Sequence, residues 1–152
     1  MTFEMLLILL FIVAPICTFL HEGGHMIGAI ICRAETIKLT IGSGKKLFTR
    51  SFGKITMDVR LYFFISGQTE SKRASSYKQK EAAIISLCGP LCNLIMVAVS
   101  LLTYRYYPSD FILLFLFYNS WLGIVNLIPF KIKSKLSDGY IVLRAIQKNR
   151  QI

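Results

Sequence analysis

Phe19-Leu20-His21-Glu22-Gly23-Gly24-His25-Met26-Ile27-Gly28-Ala29 is the stretch on which the reading of this chain turns. It lies inside a long apolar run, residues 3–32. About 20 apolar residues carry a helix across the hydrocarbon core, so the run spans a bilayer even when tilted. A carboxylate at the centre of such a helix costs roughly 2.5–3.5 kcal/mol on the insertion scale, which points to a function that repays it. On a helix, residues four apart share a face about 6 Å apart along the axis. His21 and His25 can therefore grip one Zn²⁺, and Glu22 can reach the water on that metal as general base. The plainer alternative is a chance match, or two buried histidines bonding between helices. Against it, the chain has two histidines and both fall in this motif.

Outward from the motif, composition agrees with a bilayer protein. The 152 residues suit a single domain, 1–152, and 54% of them are hydrophobic, with a mean hydropathy of +0.55. Two further apolar runs, residues 82–103 and 111–130, complete three expected spans. Between the first and second lies a polar, glycine-containing segment, 33–80. Its alternation at 37–41, 46–50 and 54–66 predicts a small cytoplasmic β-hairpin or meander, followed by a charged linker over 67–80. The pattern Ile141, Val142, Ala145, Ile146 predicts a short C-terminal helix. The fold class expected is an α-helical membrane protein of about three spans.

The net charge of +10 invites a nucleic-acid reading, but its placement excludes that. All 18 Lys and Arg residues fall within 33–80 and 131–152, except Arg105 in the turn between the second and third spans. Such asymmetry makes those segments cytoplasmic and the N-terminus extracytoplasmic, in a multi-pass protein of the cell membrane. No basic residue precedes the first run and no cleavage-site pattern follows it, so it reads as a retained span. The tyrosines at 104, 106 and 107 suit an interfacial belt. Cys17, Cys32, Cys88 and Cys92 form no CxxC pair and read as small packing residues.

A catalytic zinc usually has three protein ligands and one open position. With no third histidine, elimination among the acids favours Asp138, which follows the third span and returns from the same side as the end of the first. Its alternative is a helix N-terminal or turn residue. Pro90 breaks one helical hydrogen bond in the second span and is expected to bend it, and Gly24 and Gly28, four apart, permit close helix approach.

Three elements now combine. His21-Glu22-Gly23-Gly24-His25 followed by Gly28-Ala29, then Gly89-Pro90-Leu91-Cys92-Asn93, then Asn126-Leu127-Ile128-Pro129 followed by Asp138-Gly139, resemble in order and spacing the motifs of the site-2 protease family of intramembrane zinc metalloproteases. The link 130–137 is longer and more basic than the family's usual proline-rich one.

The resemblance implies one zinc per chain, held by His21, His25 and Asp138, and hydrolysis of peptide bonds in membrane-embedded or membrane-associated substrates. Glu22 would be the base. Asn93 would hydrogen-bond the substrate or the tetrahedral oxygen, with an interhelical hydrogen bond as its alternative. Asn126 would cap backbone groups freed near Pro129. The strands around 37–41 and 55–64 could receive the unwound substrate by β-addition. The competing classes are a non-proteolytic zinc-binding scaffold or sensor, which would not need Glu22, and an ion-transport subunit with His21, Glu22 and Asp138 along its path.

Overall fold

A computed structural model describes residues 2–132 and 135–149. Its first helix, α1, runs Phe3–Ile31, and Thr2 caps it by accepting from the Met5 amide. The turn Leu9–Val13 is π-helical, with the Ala14 amide donating to the Leu9 carbonyl five residues back. Pro15 follows at once, and its missing N–H and bulky ring account for the widened turn. Helices α2, Gln79–Tyr106, and α3, Asp110–Leu127, follow the sheet. All three are long and apolar enough to cross a membrane, with mean hydropathies of 2.5, 2.2 and 1.5. Ser109 caps α3 through the Ile112 amide, and the helix ends ahead of Pro129.

The α1–α2 crossing is close because its contact residues lack side chains. A Cβ on Gly24 would land on the Cys88 carbonyl oxygen, and one on Gly28 would lie 2.9 Å from the Ile85 Cα. The expected role of this glycine pair in close approach therefore holds. α2 runs as one α-helix with Pro90 inside it.

The segment between α1 and α2 is larger than a small hairpin. It comprises β1, Thr36–Phe52, and β2, Ile55–Lys72, each of which folds back on itself. Residues 36–41 pair antiparallel with 67–72, from Thr36 opposite Lys72 to Ile41 opposite Gly67. On their other side residues 37–41 meet 55–59, and 55–60 in turn meet 46–52. Gly42 and Gly44 make the corner with φ of +89° and +82°, a region that side chains disfavour. Residues 67–72, expected to be linker, are thus an edge of this sheet, and the linker shrinks to 73–78.

Nor does the sheet stand clear of the spans. Alternation gives it one apolar face, on which Ile37, Leu39 and Ile41 are buried, and Ile37 packs on Ala29 and Ala34. This face lies lengthwise on α1. Ile41, Met57, Val59 and Phe63 share an apolar cavity with Pro15, Ile16 and Phe19, and the Phe64 ring meets Phe11 at 5.2 Å. Phe11 is twenty residues from the end of α1, about 30 Å along the axis, so the sheet runs beside the span instead of beyond it. The opposite face is polar, with Lys38, Lys46, Asp58, Glu70 and Lys72 around a cavity of about 410 Å³. There the Thr49 hydroxyl donates to Asp58 at 2.6 Å. That bond, with Lys46 and Lys38 nearby, holds the Asp58 carboxyl below the usual carboxylate range despite its burial.

After α3 the basic link forms a minimal hairpin of β3, Lys131–Ile132, and β4, Lys135–Leu136; Lys133 and Ser134 lie outside the described residues. Ser137 closes it. Its amide donates to the Phe130 carbonyl, and its hydroxyl donates to the Ile128 carbonyl and accepts from the amides of Phe130 and Tyr140. The last of these bonds is an N-cap, which starts α4, Asp138–Asn149, at Asp138.

At Gly139 a Cβ would overlap the Leu127 carbonyl. Gly139→Ala should therefore push α4 off the end of α3. The expected result is a loss of about 1–3 kcal/mol of stability with reduced metal occupancy, read by thermal unfolding and by metal analysis of the same sample.

Candidate metal centre

His21 and His25 stand one turn apart on α1, their rings nearly perpendicular, with Nε2 atoms 3.1 Å apart. Asp138, the first residue of α4, brings Oδ2 to 3.3 Å from His21 Nε2 and 3.4 Å from His25 Nε2. The three side chains are between 8% and 13% exposed, so solvent does little to separate these groups.

The tautomers follow from the far side of each ring. His21 Nδ1 lies 2.6 Å from Asn93 Oδ1, and His25 Nδ1 lies 2.8 Å from the Ile85 carbonyl oxygen. The Asn93 amide is oriented by its nitrogen, which donates to the Cys17 carbonyl at 3.3 Å and to Asn119 Oδ1 at 2.8 Å. Both Nδ1 atoms therefore face acceptors and carry the protons. Both Nε2 atoms then present lone pairs to each other and to a carboxylate. Three such donors converging without a cation repel one another. Three ligand atoms on a tetrahedral zinc at about 2.0–2.1 Å would be separated by about 3.3–3.4 Å, so the cluster fits that ion.

Glu22 is 7% exposed and points to the sheet edge rather than into the ligand triangle. The Thr69 hydroxyl on β2 donates to its Oε2 at 2.7 Å and also lies 3.0 Å from its backbone carbonyl. The edge can come this near because of Gly67, where a Cβ would fall 2.6 Å from the Glu22 Cγ. A cavity of about 260 Å³ opens beside the cluster, lined by His25, Asp138, Thr69, Ser71, Tyr77 and Ser86 among others.

Residues 6–109 match the family model described as peptidase family M50. The chain belongs to peptidase family M50. The M50 match includes the histidine motif and Asn93 but stops short of Asp138, whose place beside the histidines rests on the fold. This M50 chain is also 26% identical over 110 residues to a protein of Treponema pallidum (strain Nichols) named "Putative zinc metalloprotease". The aligned region is 59% of this chain and 24% of that relative, so the chain spans about a quarter of the curated relative it matches.

The structure of this M50 member brings His21, His25 and Asp138 together, with Glu22 adjacent. Asn93 is fully buried, and its amide is taken up by His21, Cys17 and Asn119. It sits behind the imidazole, an interhelical hydrogen bond, instead of reaching the open side as a substrate donor would. Asn126 donates to the Leu122 carbonyl one turn back in its own helix, not to a group next to Pro129.

Asn119, Thr69 and Ser137 have no assigned role in the sequence reading. For Asn119 a signal existed, since a buried amide in a span needs partners. It supplies them by donating to the Cys17 sulfur at 3.0 Å and to the Phe115 carbonyl at 2.8 Å.

Proposed function

We propose that this chain is a zinc-dependent endopeptidase that cleaves membrane-embedded or membrane-associated polypeptides. One zinc per chain would be held by His21, His25 and Asp138. The observation that carries the reading is the convergence of two imidazole lone pairs and a carboxylate, with a second carboxylate, Glu22, held just outside the triangle by Thr69. A binding-only site has no use for that second acid.

When bound there, zinc supplies a water acidified toward a pKa of about 7 and polarises a carbonyl oxygen. Glu22 accepts the proton of the attacking water and returns it to the leaving amine. Thr69 holds its carboxylate in place for both transfers. Asn93 acts as a positioning residue, fixing the tautomer and plane of His21 so that Nε2 stays a ligand. Asp138 closes the ligand set from α4.

The substrate enters as an extended strand. Of the expected receiving strands, 37–41 and 55–64, residues 37–41 and 55–59 are unsuited to this, because they have partners on both sides. Among the described residues the edge of the sheet nearest the metal ligands is 67–72, with Thr69 and Ser71 in the cavity wall. A substrate strand added there would carry its backbone past Glu22. The placement of the basic segments favours an extracytoplasmic N-terminus and entry from the cytoplasmic side.

The test is metal dependence. The purified chain in detergent, given a single-span substrate, should lose cleavage on treatment with 1,10-phenanthroline and regain it with stoichiometric zinc. Cleavage indifferent to chelation, or a folded chain that takes up no metal, would overturn the reading.

A further inference from the structure

We propose that Tyr77 is a catalytic residue of this centre. Its phenolic hydroxyl donates to the main-chain carbonyl oxygen of the bound peptide, the oxygen that gains negative charge as water adds. This rests on the endopeptidase reading and extends it to a residue in the linker, outside all three sequence motifs.

Four observations carry it. Tyr77 lines the same cavity as His25, Asp138, Thr69 and Ser71. Its hydroxyl oxygen is buried and has no hydrogen-bond partner among the described residues. Buried hydroxyls almost always have one, so an unpaired hydroxyl on a residue that lines a cavity asks for a ligand. The side chain is also held from behind. The Arg73 guanidinium covers its ring at 4.6 Å, and Arg73 is fixed by two bonds to Glu81, of 2.6 and 2.9 Å, and by the Cys32 carbonyl at 2.8 Å. A donor so anchored pays little reorganisation when charge develops before it.

The fourth observation is what the cavity lacks. Among the described residues no Lys or Arg lines it. The imidazole N–H groups and the Asn93 amide are directed to the back of the site, and the Thr69 hydroxyl is committed to Glu22. Beside the short hydroxyls of Ser71 and Ser86, which also line the cavity, the unpartnered Tyr77 O–H is the anchored donor left to face an oxyanion. No proton leaves it in the step: the phenol shares its hydrogen with the oxygen as the carbonyl becomes tetrahedral, and releases it as the C–N bond breaks.

Tyr77→Phe removes the hydroxyl and keeps the ring over which Arg73 lies. In the zinc-loaded protein kcat should fall on the order of 10²-fold, with KM changed by no more than about twofold. Zinc content and thermal unfolding should stay as in the unaltered chain. Binding of a phosphonamidate peptide, whose tetrahedral anion resembles the charged state, should weaken by a similar factor, and binding of a product peptide should not change.

An unaltered kcat in Tyr77→Phe, or a loss confined to KM or to zinc content, would overturn the proposal. Should the unaltered chain yield no Glu22-dependent product, the endopeptidase reading itself falls. Phosphonamidate affinity then still decides for Tyr77, and equal affinities of the two proteins would reject it.

Discussion

Glu22→Gln will give a folded chain that still carries zinc and has lost peptide hydrolysis by roughly 10²–10⁴-fold, the range that general base catalysis supplies. The substitution changes little besides proton affinity. Gln is the same size, and its amide oxygen can accept the Thr69 hydroxyl where the Glu22 carboxylate accepts it now. Gly67 continues to leave room for the side chain. An amide cannot take a proton from water at neutral pH, so the missing rate reads the base alone. The measurement is kcat on a single-span substrate beside zinc content of the same preparation. Retained hydrolysis would remove Glu22 from the chemistry. Loss of zinc along with activity would make it a structural support of the ligand set.

The second large effect concerns Asp138, the proposed third ligand. Asp138→Ala is expected to weaken zinc binding by at least about 10²-fold, since outer-shell changes alone cost about 10–100-fold and this one removes a proposed direct ligand. The two imidazoles would remain, their Nδ1 atoms still held by Asn93 and the Ile85 carbonyl, so the histidine pair keeps its geometry. Competition with a chromophoric chelator gives the affinity. The N-cap of α4 is Ser137, not Asp138, so the helix should persist and circular dichroism should be unchanged. Undiminished zinc affinity would show that the carboxylate merely approaches the histidines. This variant matters because the family match ends at residue 109, so placement of Asp138 depends on the return of the chain after α3.

What could be read in the amino-acid order, and what could not, divides along physical lines. Spans and the histidine pair are local properties. Apolar run length decides the first, and the i, i+4 geometry of a helix decides the second. Asp138 was reachable by elimination because acids are few in this chain. The edge strand 67–72 was not legible, since its inward residues Gly67, Thr69 and Ser71 face a carboxylate and a cavity, and so carry no hydrophobic alternation.

The direction of Asn93 was also beyond the sequence. An amide four residues past Gly89 fits a substrate donor or a helix–helix bond equally well until the partner helices are in place. The sheet's position along α1 was hidden for a related reason. Residues 37, 39 and 41 announce an apolar face, but not whether a soluble core or a span will cover it. Arg73 and Tyr77 sit in a segment whose composition reads as solvated linker, and Glu81, the partner of Arg73, lies at the start of α2.

The hydrogen-bonded chain from His21 through Asn93 to Asn119 joins α1, α2 and α3 behind the candidate metal centre, while Asp138 joins α4 in front. In thermodynamic terms this makes the centre a point of linkage between ion binding and helix association. Whatever loosens the three spans from one another, a thinner bilayer or a harsher detergent, must lower affinity for the ion. By the same reciprocity, free zinc at 100 times its Kd would add about 2.7 kcal/mol to the cohesion of the bundle. Zinc supply would then govern how long the protein persists in the membrane, whatever part the ion has in the proposed hydrolysis.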